Sequence, residues 1–207
     1  MGVIERRLRK REARAELILG SALKVFAARG LQEATVDEIA EEAALGKGTI
    51  YYYFPSKEAI LRALVETTVD HHFNGIRERV QEASGPLDVA AGLIGGFVAN
   101  YRKQPELFRL FYMVLASPPG EVSQALRAFS ERHRRWLERL ESDVGGILSA
   151  HDLPPKTFIE FVGTHVHGII LLAISGRDVE ELKVEALKAL EELLRVRAGR
   201  ECSVNEV

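Results

Sequence analysis

The residues best suited to act on a partner molecule crowd into one short stretch, Lys47-Gly48-Thr49-Ile50-Tyr51-Tyr52-Tyr53. It offers a cation, a bare backbone position, a hydroxyl and three phenols on a segment too short to bury them all. Hydroxyl and phenol groups reach phosphate oxygens well. A glycine lets a helix N-terminus come close to a groove. The chemistry these types favour is contact with the phosphates and groove of a nucleic acid.

Other chemistries find no constellation. Nucleophilic or general acid-base work needs a nucleophile beside a base, or carboxylates paired in an apolar setting, and Ser175-Gly176 and Gly95-Gly96 lack the strand-turn-helix context of a catalytic or phosphate loop. The lone Cys202 allows neither an internal disulfide nor a zinc site of Cys type. His165 and His167 are two residues apart and point to different faces of a helix, whereas a helical metal clip needs three or four. Each is better read as a hydrogen-bonded core or interface histidine, with ligand contact as the other reading. His71 and His72, beside Asp70, are adjacent and equally ill spaced. We therefore expect no metal, no cofactor and no catalysis.

The elements that must position the tyrosine-rich stretch are legible around it. Between Glu12 and Ala28, Ala15, Ile18, Leu19, Ala22, Val25 and Phe26 recur at spacings of three and four, which predicts an amphipathic helix ended by Gly30. Thr35 and Glu38 form a capping box that opens a second helix with Val36, Ile39, Ala40 and Ala43 on its buried face. After Ala44-Leu45-Gly46 the third helix runs from Lys47 to Tyr53, where Phe54-Pro55 ends it. Ser56 caps a fourth helix, expected from Lys57 to Phe73, with a break at Asn74-Gly75. Signals at Gly85-Pro86, Pro105, Pro118-Pro119-Gly120, Pro154-Pro155 and Gly176 divide the remainder into five more helical segments without strand-like alternation. The predicted fold class is all-α, with residues 201–207 as a frayed tail.

Two short helices joined by a tight glycine-containing turn make a helix-turn-helix pattern, for which a plain three-helix piece of a bundle is the alternative. At Thr35-Val-Asp-Glu-Ile-Ala40, Gly46-Lys-Gly-Thr-Ile-Tyr-Tyr-Tyr-Phe54 and Ser56-Lys57-Glu58 the sequence resembles the TetR family of bacterial transcriptional regulators, over about residues 12 to 65. The resemblance implies a helix-turn-helix DNA-binding domain in residues 1–55 and a helical ligand-binding and dimerisation domain in residues 56–200. It places Lys47 and Gly48 at base edges, Thr49, Tyr51, Tyr52 and Lys57 at phosphate or groove positions, and Tyr53 where histidine is also common. Thr35 matches a phosphate contact and is also a helix cap, and both roles can hold at once. Ile50 and Phe54 are core. The Arg6 to Arg14 arm either adds phosphate or minor-groove contacts or is a solvated extension of the first helix.

The same resemblance implies a small molecule bound by the later helices. Phe73, Phe97, Tyr101, Phe108, Phe111, Tyr112, Trp136 and His165 are the candidate ligand contacts, although most such aromatic residues are needed as core. The glycine pairs Gly95-Gly96 and Gly145-Gly146 either leave room for a ligand or permit close helix packing. The stripes Phe158, Phe161, Val162, Val166, Ile169, Ile170 and Leu182, Ala186, Leu190, Leu193, Leu194 predict a four-helix interface with a second copy, the other reading being two wholly internal helices.

Composition sets the outer bounds. The 207 residues, 46% hydrophobic and 28% charged, suffice for one or two cores. Net charge is −2, yet residues 1–57 carry ten Lys/Arg against eight Asp/Glu while the rest carry eighteen against twenty-two, which hints at an anionic partner for the front. No run of 18 or more uncharged apolar residues occurs, and the charged start lacks the apolar stretch of a secretory signal. The expectation is a cytoplasmic homodimeric repressor that binds palindromic operator DNA, takes a small apolar inducer such as an acyl-chain compound or hydrophobic drug, and touches no membrane.

Overall fold

The computed structural model describes residues 2–116 and 123–204, the side chains of residues 3, 68–72, 123 and 198–204 excepted. Among the described residues are nine helices and no strand. They are α1 (Val3–Glu33), α2 (Val36–Glu42), α3 (Lys47–Tyr53), α4 (Lys57–Val80), α5 (Pro86–Lys103), α6 (Pro105–Ala116), α7 (Ser123–Ser149), α8 (Pro155–Ile174) and α9 (Val179–Val204). The Pro118-Pro119-Gly120 signal and the side chains of Asp70, His71, His72 and Cys202 lie outside the described residues.

The chain forms two compact units, Met1–His71 with Gln104–His133, and His72–Lys103 with Arg134–Val207. In the first, Ile18, Ala22, Phe26, Ile39, Ile50 and Ile60 are wholly buried in one cluster that also takes in Leu64, Leu110, Val114 and Ala125. This unit therefore holds more of the chain than residues 1–55, because the front of α4, α6 and the start of α7 supply part of its core. In the second, α5 packs on α8 and α9, and Arg77 at the end of α4 forms a two-pronged ion pair with Asp143 on α7, its Nη2 donating over 2.9 Å. The pair holds the Asp143 carboxyl below the usual range.

Local signals set most helix ends. Gly30 breaks α1 with φ 82° and ψ 169°, a combination open essentially only to glycine. Pro86, Pro105 and Pro155 each open a helix, where a missing N–H costs nothing. Gly176 (φ 103°) ends α8, with Arg177 N–H bonded back to the Leu172 carbonyl over 3.1 Å.

Three elements run further than the spacing predicts. α1 begins at Val3 rather than Glu12. α4 continues through Asn74-Gly75 to Val80, because Ile76 and Val80, both wholly buried, carry the apolar stripe past a glycine that meets only open space. α9 reaches Val204, and residues 205–207 lie outside the described residues. Gly96 also differs from the roomy-interior reading. A Cβ there would lie 2.8 Å from Ile76 Cγ1, and one at Gly92 2.8 Å from Val80 Cγ1, so these glycines bring α5 against α4. Gly95 and Gly146, by contrast, face open space.

By length and composition α8 could cross a membrane, with mean hydropathy 1.6 over its most apolar window. Its Phe158, Ile159, Val162, Val166, Ile169, Ile170 and Ala173 are instead buried in the second unit.

The α2–α3 turn is closed by Leu45 N–H donating to the Ala40 carbonyl over 2.9 Å, which forces Ala44 to φ 51°. The left-handed residue in this turn is thus an alanine, and the glycine, Gly46, sits two positions on as the α3 N-cap with φ −72°. A side chain in that region costs roughly 1 kcal/mol. Ala44→Gly is expected to stabilise the fold by about 0.5–1 kcal/mol and raise Tm by about 1–4 °C, read by thermal unfolding.

Candidate nucleic-acid interface

α2 is pinned at its start by its own first residues. Glu38 N–H donates to Thr35 Oγ1 over 3.2 Å, while the Thr35 N–H and hydroxyl donate to Glu38 Oε2 over 2.9 and 3.0 Å. The N–H and then the hydroxyl of Thr35 hold the Glu38 carboxyl below its ordinary range. The Thr35 hydroxyl is therefore fully engaged as a cap, and a phosphate contact through its proton requires giving up Glu38. Exposed pairs, Lys24 to Glu42 at 2.8 Å and Arg29 to Glu38 at 3.3 Å, run between α2 and α1. They contribute little energy but mark where α2 lies along α1.

α3 fully buries one side chain, Ile50. Lys47 and Gly48 are exposed at its first turn, where no side chain caps the helix. Tyr51 is 44% and Tyr52 72% exposed. Thr49 is half-buried, and Tyr53 packs on the core while meeting Tyr52 edge-on, ring centroids 5.2 Å apart. Tyr53 thus supports the helix more than it presents a phenol. The six-residue combination expected at DNA narrows in outward reach to Lys47, Gly48, Tyr51 and Tyr52, with Thr49 at the edge.

The partners of two lysines were not legible in the spacing. Lys47 Nζ donates to Asp37 Oδ2 over 2.9 Å, a bridge from α3 to the first turn of α2 that raises the lysine pKa. The ten-residue separation carries no signal of it, because the turn geometry decides which α2 side chain faces α3. Lys57, expected at phosphate, is half-buried and donates to the Gln32 and Ala34 carbonyls, both over 2.9 Å. It ties α4 to the end of α1, and one ammonium hydrogen remains for an anion.

The eight candidate ligand contacts are distributed over both units. In the second unit Phe73 and Trp136 stack at 4.5 Å, Phe97 sits edge-on to both, and Trp136 Nε1–H donates to the Phe73 carbonyl over 3.0 Å. Phe73 and Trp136 are thereby buried against each other as core. Tyr101 is half-buried in the same unit. In the first unit Phe108 is half-buried, and Phe111 packs on Tyr112 and Phe129 at 5.4 and 4.4 Å, with burial pushing the Tyr112 phenol up to about 12. His165 is exposed on α8, its ring on Phe161 at 4.3 Å and its Nδ1 2.8 Å from the Phe161 carbonyl. It lines, alone among the eight, a cleft of about 30 Å³ with Ile94, Phe161, Val162, Ala186, Ala189, Leu190 and Leu193. That volume suits a methyl group rather than a ligand of drug size. Partial burial lowers the pKa of His167. Among the described residues no cluster of three metal-ligating side chains occurs.

The sequence profile described as "Bacterial regulatory proteins, tetR family" matches residues 18–64. The helix-turn-helix transcriptional regulator YvdT of Bacillus subtilis (strain 168) is 32% identical over 138 residues, 67% of this chain and 69% of that one. The transcriptional repressor KstR2 of Mycobacterium tuberculosis (strain ATCC 25618 / H37Rv) is 36% identical over 130 residues, 61% of this chain and 64% of that one. Several other curated relatives are spanned over 21% to 49% of their own length. Among solved structures, the regulator FadR from Bacillus subtilis in complex with stearoyl-CoA shares the fold at TM-score 0.71 and 18% identity, over 84% of this chain and 96% of that one. With α2 and α3 placed as above and these likenesses in sequence and fold, the chain belongs to the tetR family of bacterial regulatory proteins and is a helix-turn-helix transcriptional regulator.

Proposed function

We propose that the chain is a cytoplasmic repressor that binds palindromic operator DNA as a homodimer, is released by a small apolar ligand, and catalyses nothing. Residues 1–55 form the DNA-binding head, and residues 56–200 serve ligand binding and dimerisation. The observation that carries the reading is the outward face of α3, where Lys47, Gly48, Tyr51 and Tyr52 stand exposed on a helix anchored by Ile50. Lys47 and Gly48 meet base edges. Thr49, Tyr51, Tyr52 and the remaining hydrogen of Lys57 meet phosphates, with Thr35 and Tyr53 holding the surfaces in place.

The dimer face lies on the outer flanks of the last two helices. Phe161, His165, Gly168 and Leu172 recur at i, i+4, i+7 and i+11 on the exposed side of α8, and Ala189, Leu193 and Val196 on that of α9. The shared cleft puts the two stripes side by side. This face is narrower than the spacing predicts, since Ile169 and Leu190 are 5% and 7% exposed and belong to the chain's own core. A second copy covers the remainder and sets two heads on one duplex.

The ligand class is an acyl-chain compound, supported by the aromatic content of both units and the shared fold with FadR, whose structure holds stearoyl-CoA. Phe73, Phe97, Tyr101, Phe108, Phe111, Tyr112, Trp136 and His165 are the proposed contacts. Since Phe73 and Trp136 now fill one another's space, entry of a ligand there requires repacking, and that repacking is what couples binding to α4.

Fluorescence anisotropy against a duplex selected by the protein from a randomised pool tests the head. Lys47→Ala is expected to weaken binding about 5- to 150-fold and to relax sequence preference at one base pair, whereas Asp37→Asn, which frees Lys47, is expected to tighten binding. Equal affinities in all three proteins would rule out the role given to Lys47. In sedimentation velocity the wild type is expected as a dimer, and Leu193→Glu as a monomer of unchanged helicity, because Leu193 is 58% exposed within one chain. A monomeric wild type at micromolar concentration would remove the interface. Saturating stearoyl-CoA is expected to lower operator affinity about 5- to 150-fold, with the same loss of acyl-CoA affinity when DNA is bound. Saturation without any change in operator affinity would exclude this ligand class as inducer.

A further inference from the structure

We propose that the N-terminal extension of α1 is a second DNA-binding surface, separate from the helix-turn-helix and indifferent to base sequence. The proposal rests on the DNA-binding reading and adds a site that the recognition helix does not account for. Residues 4–14 are all exposed, so this part of the helix buries nothing within the chain. At about 100° per residue, Arg6, Arg7, Lys10, Arg11 and Arg14 fall within an arc of about 140°, while Glu5, Glu12 and Glu16 gather within about 40° on another side.

The charge arrangement works against the helix taken alone. Arg6 with Lys10, Arg7 with Arg11, and Lys10 with Arg14 are like-charge pairs at i, i+4, each of which destabilises an isolated helix. Arg9, outside the arc, is the one held by a carboxylate, Glu5 at 3.0 Å. Among the described residues none of the five arc cations has an ion-pair partner. A self-repelling, unshielded row of this kind is matched by a regularly spaced polyanion, which takes up the charge and gains the release of its condensed counterions.

DNA is the polyanion in reach. Lys24 bridges to Glu42 over 2.8 Å, which fixes the point on α1 beside the end of α2. From Lys24 back to Arg14 and Arg6 is about 15 and 27 Å along the axis, less than the ~34 Å turn of a duplex. The arm thus extends from the point where α2 lies beside α1 by less than one turn of a duplex. Arginine side chains reach phosphate oxygens without needing any particular base.

The test compares wild type with the combined variant Arg6→Gln, Arg7→Gln, Lys10→Gln, Arg11→Gln, Arg14→Gln, and with Arg9→Gln as a control off the arc. Anisotropy is read across a salt series on the duplex the wild type selects from a randomised pool and on a scrambled duplex of equal length. The five-fold variant is expected to lower the slope of log affinity against log salt by about 2 to 4.5 units, at about 0.9 per phosphate contact. The drop should be the same on both duplexes, and Arg9→Gln should leave the slope as in wild type. Glutamine is a good helix former and its introduction removes the like-charge pairs, so helicity is expected to hold. Should the five-fold variant lose its fold, Lys10→Gln with Arg14→Gln replaces it, with an expected drop of about 1 to 2 units. An unchanged slope, or a loss confined to the selected duplex, overturns the proposal while leaving the head's function standing. Failure of the wild type to select any duplex overturns both.

Discussion

The placement of the exposed face of α3 depends above all on one buried side chain. α3 has seven residues, too few to be stable alone, and its one fully buried side chain is Ile50. Ile50 sits in the cluster with Ile18, Ala22, Phe26 and Ile39, each wholly buried. The turn bond from Leu45 to Ala40 and the bridge from Lys47 to Asp37 add orientation, but both lie at the surface. The apolar anchor supplies the energy and the polar contacts supply the angle. That division leaves Lys47, Gly48, Tyr51 and Tyr52 free for the outward face.

The parts of the fold that could be read from the sequence are those decided locally. Thr35 with Glu38, Gly30, Gly176 and the helix-opening prolines act through backbone geometry within four or five residues, so type and spacing suffice. Four features needed the tertiary structure. Asn74-Gly75 resembles a stop until Ile76 and Val80 are seen to be buried; Gly96 resembles vacant space until Ile76 is found against it. Ala44 carries the left-handed turn although a glycine lies two residues away. On α8 and α9 the periodicity showed that two faces are apolar without showing which one the chain itself covers, and Ile169 and Leu190 proved to be inside.

The candidate site divides in the same way. The residue types on α3 were legible from the sequence, and Lys47, Gly48, Tyr51 and Tyr52 stand exposed. The partners of Lys47 and Lys57 were invisible, since neither Asp37 nor the Gln32 and Ala34 carbonyls stand at a regular spacing from them. Both lysines are thus already engaged. An anion that engaged either lysine would exchange one set of charge-assisted hydrogen bonds for another, so its net gain would be smaller than a count of cations suggests.

The glycine contacts between α4 and α5 have a mechanical consequence. Most helix interfaces are upholstered with side chains that absorb a small displacement by changing rotamer. At Gly92 and Gly96 there is no such padding on α5, and the facing Val80 and Ile76 are wholly buried with stiff, branched stems. A shift of α5 by a fraction of an ångström is therefore passed to α4 almost undiminished. Within the second unit the joint behaves as a stiff linkage with little backlash.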